Sequence, residues 1–261
     1  MSDPAVLYRR RDQIGLVTLN RPDVRNSMSP ELLDAFSTAI EEAREDTASR
    51  CLVLTGSGSC FSAGADLKAS MQRTEGDKTP QERSFAMYEP FLELLDIEVP
   101  VVAALNGHAV GGGFGLALLA DIRIANQDSK YGANFGRLGI HSGMAISYTL
   151  PRIVGAAQAA QMLYTGQLIR GREAKAIGLC NEALPAEQVM PRAWEIAEQI
   201  AGAAPLAVKG MKASLRAGLA WEVREAAWAE AKLQSESLQT ADSEEGVAAL
   251  LEKRKPEFKG R

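Results

Sequence analysis

The chain has 261 residues, 46% of them hydrophobic, and a formal net charge of −4, which predicts a globular protein of one large domain or one domain with an appended helical arm. The negative charge argues against a nucleic-acid partner, and two histidines without metal-ligand spacing argue against a metal site. No apolar run is long enough to cross a membrane, the N-terminus has no apolar signal core and the three cysteines lack CxxC spacing, so we expect a cytoplasmic protein without membrane contact.

Strand and helix patterns alternate in the first half of the chain. Runs rich in β-branched and apolar residues predict strands at 14–20, 51–58, 99–105 and 121–126. One helix is predicted to begin at Ser29, which is followed by the N-terminal signals Pro30 and Glu31, and another covers 85–95. Strands separated by helices in this way indicate a parallel sheet.

Two other segments differ from this alternation. The polar residues 71–83 include a glycine and a proline and predict a mobile loop. After Ser147 the strand signals largely stop, and the residues 221–255 alternate acids and bases around an apolar stripe. This pattern predicts a helical arm that docks on the rest of the protein.

Two glycine-containing segments follow two of the predicted buried strands. One is GSGSCFSAGADLK, after Leu54, and the other is NGHAVGGGFG, after Leu105. Loops at the carboxyl ends of parallel strands are where ligands bind. Neither segment has the dinucleotide spacing G-x-G-x-x-G, and the chain has no G-K-[ST] phosphate loop. The segments are therefore candidate ligand loops, the alternative being simple tight turns.

The pair FSAGADL (61–67) and NGHAVGGGFGLALLAD (106–121) resembles the crotonase superfamily, the enoyl-CoA hydratase/isomerase fold. The likeness covers nearly the whole chain and includes LNRPDVRNSMS, YTGQLIRGREAKAIGLCNEALP and EKRKPEFKGR. It implies an α/β fold: a crotonase-like spiral of ββα units in residues 1–195, and a C-terminal helical trimerisation region in 196–261. It also implies a homotrimer or a dimer of trimers, and an acyl-CoA substrate that brings its own coenzyme A, with no separate cofactor.

The resemblance implies an oxyanion hole made by the backbone N–H groups of Ala65 and Gly112, with Gly111 beside them. Such a site polarises a thioester carbonyl so that an enolate can form, and small residues keep side chains away from the thioester. Gly112 also lies at the amino end of a predicted helix, where the dipole favours negative charge. One donor of this kind is worth about 10²–10³ in rate.

The chain departs from the familiar hydratases at both catalytic glutamates. Gly115 and Phe135 stand at those two positions, so fast hydration by the two-glutamate mechanism is not expected. His141 is the candidate substitute acid or base; the alternative is that it packs behind the pocket with one hydrogen bond. Phe135 also suggests an apolar pocket, suited to a bulky acyl group or to a reaction from which water is excluded.

The resemblance also implies contacts to the acyl group and to coenzyme A. These come from the first loop, from basic residues near it, from the segment around Phe135 and from the C-terminal tail of a neighbouring subunit. The candidates are Ala63, Asp66, Leu67, Lys68, Arg25, Asn134, Lys255, Phe258 and Lys259. For the basic residues among them, ordinary solvated charge is the alternative.

Two functions from different classes stay open at this point. The first is an acyl-CoA-processing enzyme, for which enoyl-CoA hydratase/isomerase is the nearest description, although isomerisation, decarboxylation or carbon–carbon hydrolysis would use the same enolate. The second is a non-catalytic acyl-CoA-binding protein. A titratable side chain within hydrogen-bond reach of the reacting acyl carbons would distinguish them.

Overall fold

A computed structural model describes residues 4–65 and 78–261. The strands are β1 (Val6–Arg11), β2 (Ile14–Leu19), β3 (Cys51–Gly56), β4 (Cys60–Ser62), β5 (Val101–Leu105), β6 (His108–Val110), β7 (Ile122–Asn126), β8 (Lys130–Gly132), β9 (Ile169–Arg170) and β10 (Glu182–Leu184). The helices are α1 (Pro30–Glu45), α2 (Pro80–Ala86), α3 (Glu89–Leu92), α4 (Gly112–Leu119), α5 (Ile146–Val154), α6 (Ala156–Thr165), α7 (Gly171–Ala176), α8 (Ala186–Ala201), α9 (Pro205–Leu215), α10 (Leu219–Ser237) and α11 (Ala241–Glu252).

From β3 to β8, consecutive strands alternate between two sheets. The larger sheet has the order β1-β2-β3-β5-β7-β10, and the smaller sheet has the order β4-β6-β8-β9. The first pair of the larger sheet is antiparallel and its other neighbours are parallel. Each turn of the chain adds one strand to each sheet, which is the spiral expected from the sequence.

Helices cover both faces of the larger sheet. Strands β3 and β5 are buried along their whole length, as their continuous apolar runs predict. Helix α1 packs Phe36 and Ile40 into the main core, and its N-terminus is capped by Ser29, whose hydroxyl accepts the N–H of Leu32 at 3.2 Å. Helix α8 covers the opposite face with Val189 and neighbouring alanines. The sheet is therefore rigid where its strands end and the ligand loops begin.

Four strands appear where the sequence predicts them, but two predicted helices are interrupted. The segment 85–95 contains α2, α3 and a 3-10 turn at Glu93–Asp96, because Pro90 has no N–H with which to continue a helix. The segment 221–255 breaks between α10 and α11, where the hydroxyl of Thr240 accepts the N–H of Ser243 at 3.2 Å. The strands β4, β6 and β8 were not predicted from the sequence, because three residues are too few to show an alternating pattern.

The predicted mobile loop at 71–83 is wrong at its end, because Thr79 and Glu82 form a capping box that starts α2; residues 71–77 lie outside the described part. The predicted boundary between residues 195 and 196 falls inside α8, and the division of the chain there stays a prediction. Over the described ranges, no helix is both long and apolar enough to traverse a bilayer, and no three His, Cys, Asp or Glu residues group as metal ligands would.

Candidate functional site

The three glycines at the start of α4 are each required for a different reason. Gly111 has φ +55°, in the left-handed region. A Cβ at Gly112 would lie 2.3 Å from the Sδ of Met28, and a Cβ at Gly113 would lie 2.5 Å from the Oγ of Ser62. A side chain at Gly113 would overlap Ser62, and one at Gly112 would have to displace the flexible end of Met28, so the N-terminal end of α4 presents backbone without side chains.

The loop after β4 lies directly against this helix end. A Cβ at Gly64 would lie 2.5 Å from the carbonyl oxygen of Val110 and 3.4 Å from the backbone nitrogen of Gly112. Ala65 follows Gly64, so the structure brings the two segments that carry the predicted oxyanion donors into contact. The N–H of Gly112 is in the first turn of the helix and has no intrahelical acceptor, which leaves it available to an anionic oxygen.

The first loop is held by the segment before α1. The N–H of Ala63 donates to the carbonyl of Arg25 at 3.0 Å, and the N–H of Met28 donates to the carbonyl of Gly64 at 2.8 Å. Met28 also pairs with Ala65 as an isolated parallel bridge. The position of Ala65 is therefore set by backbone hydrogen bonds.

Asn26 is a positioning residue that sequence reasoning missed. Its side chain is fully buried, and its Nδ2 donates to the carbonyls of Cys60 (2.8 Å) and Ser57 (3.1 Å) while its Oδ1 accepts the N–H of Arg21 (2.7 Å). Asn26 also has φ +52°, a conformation that asparagine tolerates better than most residues. An asparagine in a turn is a weak signal, and only its contacts show what it does.

Gly115 lies against a methionine. A Cβ at Gly115 would lie 2.2 Å from the Cγ of Met144 and 3.3 Å from the Cγ1 of Ile146. Met144 is fully buried and has φ +65°. The space that a side chain at position 115 would enter is therefore occupied by the side chain of Met144.

Phe135 and Asn134 lie at the other end of the same helix face. The Cζ of Phe135 would be 3.7 Å, and the Oδ1 of Asn134 3.9 Å, from a Cβ at Gly111. Phe135 is only 6% exposed. The structure thus brings Gly111, Asn134 and Phe135 together, as the prediction for this site requires.

Tyr88 is a second residue that the sequence did not single out. Its ring would be 3.2 Å from a Cβ at Gly112 and 2.5 Å from a Cβ at Gly143, so the ring packs tightly at Gly112 and leaves no room for a side chain at Gly143. Its hydroxyl accepts a hydrogen bond from the Nε2 of Gln234 on α10 at 2.9 Å. The C-terminal helical region therefore contacts the neighbourhood of the predicted oxyanion hole through this ring.

His141 is held by its own segment and by α10. Its Nδ1 lies 2.8 Å from the carbonyl oxygen of Ser142, its N–H donates to the Oγ of Ser237 (2.9 Å), and its carbonyl accepts from Gln234 (3.1 Å). The side chain is half-buried. These contacts fit the packing alternative and also orient the imidazole, so the catalytic role of His141 stays a prediction.

The other predicted ligand contacts fall into three groups. Asp66, Leu67 and Lys68 lie outside the described residues. Arg25 is exposed with φ +56°, beside the loop that carries Ala63. Lys255, Phe258 and Lys259 are exposed in a tail that folds back on its own α11, where the N–H of Lys259 donates to Asp242. Within the described ranges, no hydrogen bond or ion pair joins this tail to the glycine loops of its own chain.

Known proteins share this architecture. The sequence model described as enoyl-CoA hydratase/isomerase matches residues 9–261. The crotonyl-CoA hydratase of Syntrophomonas wolfei is 35% identical over 256 residues, covering 97% of both chains. An enoyl-CoA hydratase/isomerase from Pseudoalteromonas atlantica has a TM-score of 0.87 at 31% identity, covering 98% of this chain and 100% of that chain. For the carnitinyl-CoA hydratase from Mycobacterium avium the TM-score is 0.86 at 32% identity, with 100% of both chains covered.

The chain therefore belongs to the enoyl-CoA hydratase/isomerase family, within the crotonase superfamily. The family and the fold class predicted from the two glycine segments are both confirmed. The names of two of these relatives describe hydratases of crotonyl-CoA and of carnitinyl-CoA.

Proposed function

We propose that the chain is an acyl-CoA-processing enzyme that stabilises a thioester enolate with the backbone N–H groups of Ala65 and Gly112. The observation that carries this proposal is the contact between the two glycine loops, in which a Cβ at Gly64 would overlap the carbonyl oxygen of Val110 and would lie 3.4 Å from the backbone nitrogen of Gly112. Two N–H groups on segments this close can serve one carbonyl oxygen, and the helix dipole at Gly112 favours the negative charge that develops there. Membership in the family supports acyl-CoA as the substrate.

The reaction needs a proton-transfer group, and neither Gly115 nor Phe135 can supply one. We assign that role to His141. Its Nδ1 faces the carbonyl of Ser142, which favours the tautomer with the proton on Nδ1 and leaves Nε2 as the base. The nearest description of the activity is an enoyl-CoA hydratase/isomerase that does not use two glutamates; isomerisation, decarboxylation and carbon–carbon hydrolysis share the same enolate.

The substrate contacts follow from the same proposal. Gly111, Asn134 and Phe135 line the acyl end, and the remaining contacts hold coenzyme A, which enters with the substrate so that no separate cofactor is needed. Those contacts are Arg25, Ala63, Asp66, Leu67 and Lys68, with Lys255, Phe258 and Lys259 supplied by a neighbouring subunit of a homotrimer or a dimer of trimers. The enzyme would act in the cytoplasm.

The oxyanion hole is tested by a pair of substitutions at one position. Gly112→Pro and Gly112→Ala both place a Cβ against Met28, but only proline removes the N–H. Proline is also tolerated in the first turn of a helix. We expect turnover of acyl-CoA substrates by the proline variant to be about 10²–10³ lower than by the alanine variant. Equal turnover in the two variants would show that the N–H of Gly112 does not contribute to the rate.

A non-catalytic acyl-CoA-binding protein is the second candidate, and the occupation of the Gly115 volume by Met144 favours it. The loss of ultraviolet absorbance of crotonyl-CoA measures hydration, and a parallel titration measures binding. Together they distinguish a hydrating enzyme from a binding protein. Other acyl-CoA reactions are followed by product chromatography. Turnover that falls by about 10²-fold or more in His141→Ala, with unchanged binding, supports the enzyme and the role of His141. Tight binding without any turnover supports the binding protein.

A further inference from the structure

The Met144 side chain fills the space beside Gly115 on α4. A Cβ at Gly115 would be 2.2 Å from the Cγ of Met144 and 2.6 Å from its Cβ. Methionine and any side chain at position 115 are therefore mutually exclusive. Because Met144 is fully buried, the place of the first hydratase glutamate is filled by an apolar group, and the site holds no carboxylate there.

The backbone at Met144 is strained and is held from both sides. Met144 has φ +65° and Ala145 has φ +54°, a left-handed conformation that non-glycine residues rarely adopt. On one side, Gln234 donates to the carbonyl of His141 at 3.1 Å. On the other, the buried Glu230 accepts the N–H of Ser147 at 2.8 Å. Backbone strain that neighbouring hydrogen bonds maintain in this way is typical of functional positions, so a functional role for Met144 is worth testing.

Met144 and Phe135 form a continuous surface. Gly111 and Gly115 are one helical turn apart, and the N–H of Gly115 donates to the carbonyl of Gly111 at 3.0 Å. They therefore lie on the same side of α4. Phe135 contacts the first glycine position and Met144 the second. Phe135 and Met144 thus place apolar side chains along one face of α4, at Gly111 and at Gly115.

We propose that Met144 is a specificity-determining residue that keeps water and hydroxyl groups away from the reacting acyl carbons, so that hydration is the least favoured of the reactions open to the proposed enzyme. The site would then prefer acyl-CoA esters that are apolar at the β-carbon, whether saturated or unsaturated, over 3-hydroxyacyl-CoA esters. A hydroxyl buried between the thioether of Met144 and the phenyl ring of Phe135 gains no strong hydrogen bond from either side chain, and that loss weakens binding. This inference rests on the proposed function, because it assumes that the acyl group lies along α4.

The test compares the binding of butyryl-CoA with that of 3-hydroxybutyryl-CoA by calorimetric titration. We expect the wild-type protein to bind butyryl-CoA about tenfold more tightly. Met144→Ala should reduce the preference to less than about threefold, because the vacated volume admits water that pairs with the hydroxyl. Met144→Leu keeps an apolar side chain of similar volume and should retain the preference.

Met162→Ala is the matched control, because Met162 is an equally buried methionine on α6, and it should retain the preference. Thermal melting of each variant shows that it is folded. An equal affinity of the wild-type protein for the two esters, or an unchanged preference in a folded Met144→Ala variant, would overturn the inference. If neither ester binds the wild-type protein, the proposed function itself fails, which is a different result from binding without discrimination.

Discussion

The side-chain amide of Asn26 joins the segment before α1 to the end of β4, since its Nδ2 lies 2.8 Å from the carbonyl oxygen of Cys60. This hydrogen bond is fully buried, and the same side chain also accepts the N–H of Arg21. The loop that carries Ala65 begins only a few residues after Cys60. One asparagine therefore holds the backbone from which the first proposed oxyanion donor projects.

Asn26→Ala should destabilise the fold by about 3 kcal/mol, because it leaves several buried backbone groups without partners. It should also weaken acyl-CoA binding, because the first loop loses its anchor. Urea unfolding and a binding titration measure the two effects. Asn20→Ala is the control, because Asn20 is only half-buried and its side-chain amide donates to Pro4 alone within the described ranges, and its effect should stay within about 0.5 kcal/mol. Similar losses in both variants would contradict the anchoring role.

Gly115 and Met144 should be energetically coupled. Gly115→Ala alone forces a Cβ into the Met144 side chain and should destabilise the protein by about 1–3 kcal/mol. Combined with Met144→Gly, which removes both the Cγ and the Cβ that a Cβ at Gly115 would meet, the same change should be much better tolerated, giving a coupling energy of at least about 1 kcal/mol in a double-mutant cycle. The free energies of unfolding of the four proteins provide this number.

A glycine in open space serves as the reference for that cycle. Gly210 lies in α9, and a Cβ there meets no atom within 4 Å. Gly210→Ala should therefore leave stability unchanged or raise it by up to about 1 kcal/mol, because alanine favours a helix. Additive effects of Gly115→Ala and Met144→Gly would show that the two positions do not compete for one volume.

His108 should make stability depend on pH below neutrality. Its Nδ1 accepts the N–H of Lys130 at 2.9 Å, which requires the neutral ring. Burial lowers the pKa of His108 from its ordinary value of 6.5, and the charges of Lys130 and Arg25 lower it further. Because the folded state has the lower pKa, the stabilisation is present above the unfolded pKa and is lost as the pH falls through the folded one.

The melting temperatures at pH 7 and pH 5 of the wild-type protein and of His108→Asn measure this effect. The Oδ1 of asparagine can accept the Lys130 N–H at both pH values, so the variant should lose less stability on acidification than the wild-type protein. A pH dependence that is the same in both proteins would assign the loss to other groups.

The exposed apolar side chains of the C-terminal helices predict self-association. Leu206 and Leu215 on α9 are 85% and 87% exposed, and Trp221 on α10 is 68% exposed. Apolar side chains this exposed on neighbouring helices of one region mark an interaction surface. Light scattering should give a particle of three or six times 28.0 kDa. Leu215→Glu should shift it towards the monomer, whereas Thr38→Glu on the exposed side of α1 should not.

A monomer at micromolar concentration would contradict the proposed trimer. It would also remove Lys255, Phe258 and Lys259 from the coenzyme A site, because that role requires a neighbouring subunit. The contact of the tail with its own α11 would then be the whole of its function.

The family, the alternation of strands and helices and the two glycine loops could all be predicted from the sequence alone. These features depend on local patterns: continuous apolar runs for β3 and β5, helix signals at Ser29 and Pro30, and glycines where backbone must approach backbone. The resemblance also predicts that Gly115 and Phe135 stand where the familiar hydratases carry glutamates, because that comparison needs only the position in the motif.

The side chains that surround the glycine loops could be identified only in the folded structure. Asn26, Tyr88 and Met144 contact the glycine loops although they are far from them in sequence, and no periodic pattern marks such residues. Met144 lies 29 positions beyond Gly115 in the chain yet occupies the space beside it. Side-chain packing between distant segments depends on volume and backbone conformation together, so the fold had to be in place before the apolar surface along α4 could be identified.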